Sequence, residues 1–110
     1  MESIGPLPMS ATLLRHETVR HGFDCVYLFE FSCADTVLRD TLVRKWNLRD
    51  FTGSEVRAVS FASNDYPSWW PTDMSRATHV FGRCDEENEV YWSMWERADV
   101  GRLYVEVGGW

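Results

Sequence analysis

The stretch E-V-Y-W-S-M-W-E, residues 89–96, decides the fold. β-Branched and aromatic residues dominate it, as they do in strands. Side chains along a strand alternate between the two faces of a sheet. Val90, Trp92 and Met94 therefore share one face, and Tyr91 and Trp95 share the other. A sheet with large aromatics on both sides must cover both, or offer one to a partner.

Working outward, residues 78–84 and 102–107 read as two further strands, so the last third of the chain is a β-meander. Its turns are Asp85-Glu86-Glu87-Asn88 and Arg97-Ala98-Asp99-Val100-Gly101. Leu103, Val105 and Val107 face one side; Tyr104 faces the other with the charges Arg102 and Glu106. In the first half, C-V-Y-L-F-E-F (residues 25–31) is the clearest strand. Cys25, Tyr27, Phe29 and Phe31 line one face, while Val26 and Leu28 make the other apolar too, which suits a central strand. Residues 11–19 fit either strand or helix, and the β-branched Thr12, Thr18 and Val19 favour strand. His21-Gly22-Phe23-Asp24 reads as the turn between these two runs.

One helix is expected, over Cys33–Trp46. Ser32 is the candidate N-cap and Asp35 the acid of a capping box. Ala34, Val37, Leu38, Thr41, Leu42 and Trp46 recur at helical spacing and define the buried stripe, whereas Arg39, Asp40 and Arg44 fall outside it. Asn47 stands where a helix adopts its left-handed C′ residue. Residues 55–61 suggest a short strand, and residues 1–10, with Pro6 and Pro8, an irregular arm. The chain therefore reads as a single α+β domain over residues 1–110. It is an antiparallel sheet of five or six strands in the order ββα then β-meander, with one amphipathic helix on one face.

Five of the six tryptophans follow residue 68: Trp69, Trp70, Trp92, Trp95 and Trp110. A helix of about 13 residues is ~20 Å long and ~10 Å wide. Five strands at ~4.8 Å spacing span ~20–25 Å. The helix cannot cover even one face, and the segment Trp69-Trp70-Pro71 is the natural filler, a lid over the sheet. Two other readings of the pair stay open: anchors of a protein contact, or a stacking platform for a sugar.

Composition narrows the classes of function. The chain has 110 residues, 45% hydrophobic and 15% aromatic, which describes a folded domain rather than a disordered one. Its net charge of −6 repels phosphate backbones, so no nucleic-acid partner is expected. No apolar run approaches the ~20 residues of a membrane helix, so no membrane partner is expected either. Met1–Pro6 lacks the features of a signal peptide. Three cysteines, Cys25, Cys33 and Cys84, suggest a reducing compartment, and a cytoplasmic location is expected.

The residues of catalytic and metal chemistry do not converge. His16, His21, His79 and the cysteines show none of the spacings that mark a metal site. His79 and Cys84 lie five apart on one strand and point to opposite faces, which prevents a nucleophile–base hydrogen bond. Gly108-Gly109 follows a strand with no helix behind it, unlike a phosphate loop. Glu86 with Glu89 or Asp99 could pair as acid and base, but turn carboxylates are solvated and keep ordinary acidity.

Several segments together resemble a group of small bacterial α+β proteins of unassigned function. They are Leu7-Pro8-Met9-Ser10-Ala11-Thr12, Gly22-Phe23-Asp24 leading to Phe31, Trp69-Trp70-Pro71, Met94-Trp95-Glu96 and Gly101-Arg102-Leu103-Tyr104. The resemblance implies an antiparallel sheet with one helix and implies no activity. The expectation from the residues is a non-enzymatic protein-interaction module that needs no cofactor or metal. Its partner would be another chain or itself; an immunity-type or phage-type inhibitor that docks on a basic surface is one such protein. The expected contact residues are Trp69, Trp70, Trp92, Trp95 and Trp110, with the acidic cluster Asp85, Glu86 and Glu87. The alternative is a small-ligand or carbohydrate binder that uses the Trp69-Trp70 loop.

Overall fold

The computed structural model describes residues 4–21, 24–51, 66–71 and 76–109. Among them the chain forms β1 (Ala11–His21), β2 (Asp24–Cys33), α1 (Val37–Lys45), β3 (Arg49–Asp50), β4 (His79–Asp85), β5 (Val90–Arg97) and β6 (Arg102–Gly109). The strands make one antiparallel sheet in the order β1-β2-β6-β5-β4-β3. The architecture is α+β, as the periodicity requires. The last strand is inserted between the two halves: β6 pairs with β2 from Val26↔Gly108 to Ser32↔Arg102, and with β5 on its other side. β2 is central, as its two apolar faces suggest.

The helix starts later than the sequence suggests. Ser32 and Cys33 are not its cap but the end of β2. There Cys33 pairs with Ala11, and its N–H donates to the Gly101 carbonyl at 2.9 Å. Backbone partners on both sides hold the strand conformation past the point where local capping chemistry would end it. Gly101 makes this approach possible, because its φ is +64° and an added Cβ would lie 3.2 Å from the Cys33 carbonyl oxygen. Asp35 does not close a capping box. It accepts from the Val37 N–H at 3.0 Å and from the Ser10 hydroxyl at 2.7 Å, and these bonds lower its pKa. The other end follows expectation. Asn47 has φ +52°, its N–H donates to the Arg44 carbonyl, and the Leu48 N–H donates to that of Val43. Those two bonds are the Schellman termination, and Leu48 at C″ is buried behind it.

The nine-residue helix buries Leu38 and Leu42, and Trp46 follows them into the core. They pack on Phe29, Phe31, Phe81, Trp92, Met94, Leu103 and Val105 of the sheet. Val37 and Ala34 are not part of this stripe; both are exposed. Arg39 does not point away, as its position in the pattern suggests. It is half-buried, donates to Glu96 at 2.9 Å and stands over the Phe81 ring at 5.9 Å.

On the opposite face Val19, Val26, Leu28, Val80 and Trp95 form a second core, closed by Tyr66 and Trp70. Trp70 meets Tyr66, Trp95 and Tyr104 edge-on at 5.9–6.2 Å and is 3% exposed. This part of the loop is a lid, one wedge of which is an indole. The N–H groups of Trp46, Trp70 and Trp92 are buried with no hydrogen-bond partner among the described residues. An orphaned donor costs about 1–3 kcal/mol. Removing ~200 Å² of indole from water contributes about 5 kcal/mol at ~25 cal/mol per Å², so burial wins. The expected strand over residues 55–61 lies outside the described residues, as does Trp110.

Candidate interface along the outer strand

The two edges of the sheet differ in kind. One ends in β3, two residues long. Among the described residues the other edge is β1, eleven residues long and paired only with β2. Every residue from Thr12 to Thr18 is exposed, on both faces of the strand, and Leu13 and Leu14 are among the exposed large hydrophobic residues. From Ala11 to Arg20, only Ala11 and Val19 reach a core. Among the described residues the helix and the Trp70 lid reach β1 only near its ends, at Ala11 and Val19, and through Trp69 at Arg15. A long edge strand presents a row of unpaired backbone donors and acceptors, a ready template for another strand.

The register of β1 on β2 slips once, between Leu13 and Arg15, so Leu14 is a bulge. Beyond it the ladder is regular: Arg15↔Glu30, His16↔Phe29, Glu17↔Leu28, Thr18↔Tyr27, Val19↔Val26 and Arg20↔Cys25. His16, Thr18 and Arg20 therefore face the helix side, and Arg15, Glu17 and Val19 the lid side. The His16 ring stacks on Phe29 at 6.5 Å. Arg15 donates through Nε to the Glu30 carboxylate at 2.7 Å, and its guanidinium covers the Trp69 ring at 5.5 Å.

Behind this edge lie buried carboxylates held by phenols. Glu30 accepts from the Tyr104 hydroxyl at 2.9 Å as well as from Arg15. Glu106, 0% exposed, accepts from the hydroxyls of Tyr66, at 2.9 Å, and Tyr91. Burial first, then the negative charge of Glu106, pushes the pKa of both phenols upward, so they remain donors at ordinary pH. Tyr91 reaches Glu106 by lying across its cross-strand neighbour Gly108, where a Cβ would stand 2.3 Å from the ring. Gly108 is thus not part of a phosphate loop but the flat seat of an aromatic ring.

On the helix side Glu96 accepts from Arg39 and lies 2.8 Å from His79 Nδ1. A cleft of about 180 Å³ opens beside it, lined by Cys33, Asp35, Arg39, Glu96, Gly101 and Arg102. Burial, then Glu96 and Asp35, raises the pKa of the Cys33 thiol, the reverse of what activates a nucleophile. Arg39 and Arg102 are engaged with Asp40 and Glu96 and with the carbonyls of Val100 and Gly101, respectively. The other cysteine singled out, Cys84, pairs with Tyr91, and His79 with Glu96, on opposite faces as their spacing requires. Among the described residues no three His, Cys, Asp or Glu side chains gather as metal ligands would. No described helix is long and apolar enough to cross a membrane.

The expected contact residues separate into two groups. Trp70, Trp92 and Trp95 belong to the cores: Trp92 stacks on Trp46 at 6.4 Å beneath the Arg83 guanidinium, and Trp95 meets Trp70. Trp69 is half-exposed at the margin of the second core, with Arg15 over its ring. In the β4–β5 turn Asp85 is bound back by the Asn88 backbone and side chain, which lower its pKa, while Glu86 and Glu87 are exposed. The sequence reading did not single out β1 as a candidate surface. Its one local signal is polar residues on both faces of a strand, Arg15, His16, Glu17, Thr18 and Arg20. Comparison with known proteins finds no matching family model, no matching curated protein and no matching solved structure.

Proposed function

We propose that this domain is a non-enzymatic protein-interaction module that engages its partner through the open edge of β1. One observation carries the reading: an eleven-residue strand, paired on one side only among the described residues and exposed on both faces from Thr12 to Thr18. Natural sheets shorten, cover or bend their edges, and β3 is the shortened kind. A bulge at Leu14 blunts one end of β1, but Arg15–Arg20 is regular strand. The tryptophans enter this function indirectly. They hold the sheet that presents the edge, and Trp69 supports Arg15 on it. The exposed acids Glu86 and Glu87 belong to a turn at the far side of β5 and contribute a secondary contact at most.

Site-specific photo-cross-linking in the native cell tests this. A photoreactive residue at Thr18 is expected to give a discrete adduct with a protein, and one at Arg44, exposed on the helix, to give none. Equal labelling at both positions, or none at Thr18, removes the assignment to β1.

A further inference from the structure

Resting on that reading, we infer that the β1 edge accepts an extended acidic segment of another protein by strand addition, with carboxylates opposite His16 and Arg20. The chain as a whole carries a net charge of −6. Its outer strand runs against that balance: Arg20 and His16 stand along it, beside an Arg15 already bound to Glu30, against a single acid, Glu17. An acidic segment meets repulsion over most of this protein and attraction here. Main-chain hydrogen bonds to the edge would supply affinity, and side chains on alternate positions the selection.

The register sharpens the partner's chemistry. Beyond the bulge, His16, Thr18 and Arg20 lie on one face at alternate positions, and Glu17 and Val19 on the other. An added antiparallel strand, read from the position opposite Arg20 to that opposite His16, would carry an acid, an apolar residue, a β-branched residue, a basic residue and an acid. The apolar residue falls beside Val19, the one side chain of Arg15–Arg20 that belongs to a core. The same geometry disfavours a second copy of this chain. Two-fold pairing of the regular stretch from Arg15 to His21 centres on Thr18 and sets His16 of each copy against Arg20 of the other. It offers Glu17 only Val19. Basic groups opposed across strands destabilise the pair, a device that keeps an exposed edge from self-association.

The test uses the full chain and two blocked heptapeptides, Thr-Glu-Val-Thr-Lys-Glu-Thr and its counterpart with both glutamates replaced by lysine. Affinity is read by NMR titration and contact by amide hydrogen exchange. The acidic peptide is expected to bind about tenfold more tightly, since two attractive cross-strand pairs replace two repulsive ones. It should slow exchange of the alternate β1 amides over residues 15–20 that point away from β2, and not at Thr12. In Arg20→Glu the preference should narrow or invert, and His16→Glu, a second exposed position, should act in the same direction. Equal affinity for the two peptides overturns the inference. So does binding without protection of β1, or a dimer of the free chain with β1 already protected. If the peptides fail while the Thr18 cross-link still captures a protein, the acidic-strand inference falls and the interaction reading stands. If both fail, both fall.

Discussion

The two faces of this sheet are covered by different means. The helix face is a volume-filling core, Leu38, Leu42 and Trp46 against Phe31, Met94 and Leu103, and its carboxylate Glu96 lies at the margin with Arg39 and His79. The lid face buries carboxylates within it. Glu30, Glu106 and Ser93 are all buried there, between Trp70, Trp95 and the phenols of Tyr66, Tyr91 and Tyr104. Apolar packing is tolerant of pH and intolerant of lost volume. A buried polar network is the reverse: it depends on every donor being present and protonated. One sheet thus carries two kinds of cohesion, and its outer strand carries little of either.

The largest expected effect tests the apolar side. Leu42 is 0% exposed, and Leu42→Ala should cost ~2–5 kcal/mol in denaturant unfolding. A loss under ~0.5 kcal/mol would show that the helix does not pack through this face. Next comes the seat of Tyr91. In Gly108→Ala the new methyl meets the ring, and either the ring leaves Glu106 or the strand shifts, at ~1–3 kcal/mol. A neutral outcome, with near-ultraviolet dichroism unchanged, would mean that the ring does not lie across residue 108.

Alkaline titration separates the two faces directly. The folded-state pKa values of Tyr66, Tyr91 and Tyr104 are raised above the ordinary phenol value, chiefly by burial and then by Glu106 or Glu30. Their contribution is therefore complete below about pH 10 and is lost as pH rises through the raised folded-state values. Stability should fall above about pH 10, and Tyr66→Phe should cost ~1–2 kcal/mol at neutral pH while making the alkaline slope shallower. An unchanged slope would remove Tyr66 from the network.

The smallest effect concerns the margin of the helix face. Arg39→Ala leaves Glu96 with His79 and should cost about 1 kcal/mol, whereas Arg44→Ala, on the exposed side, should be neutral within ~0.5 kcal/mol. Equal values for the two would return Arg39 to the solvated side of the helix.

Much of the strand pattern was legible because alternation is a local signal. The faces of residues 25–31, 89–96 and 102–107 follow from side-chain period alone, and the structure keeps each of them. Asn47 was legible for a similar reason, since a left-handed C′ residue is a demand of the local backbone. The misreadings were of another kind. Ser32 and Asp35 have capping chemistry, but Ala11 and Gly101, distant in sequence, hold that stretch in the sheet. Arg39 falls outside the apolar stripe, yet Glu96, 57 positions later, draws it inward. The face of Glu106 was legible, but not its burial, which depends on Tyr66 and Tyr91 lying over it.

The sequence by itself determined the main strands and the one helix, short of their ends, which side chains share a face, and that both faces would need cover. These follow from backbone geometry and burial within a few residues of each position. Only the tertiary structure decided that β6 lies between β2 and β5, that the phenols satisfy the buried acids, and that β1 is an edge among the described strands. Strand order and edge status depend on which distant segments win the backbone hydrogen bonds of each neighbour. That competition is settled by the whole sheet at once, and β1 records its result only in the polar residues on both of its faces.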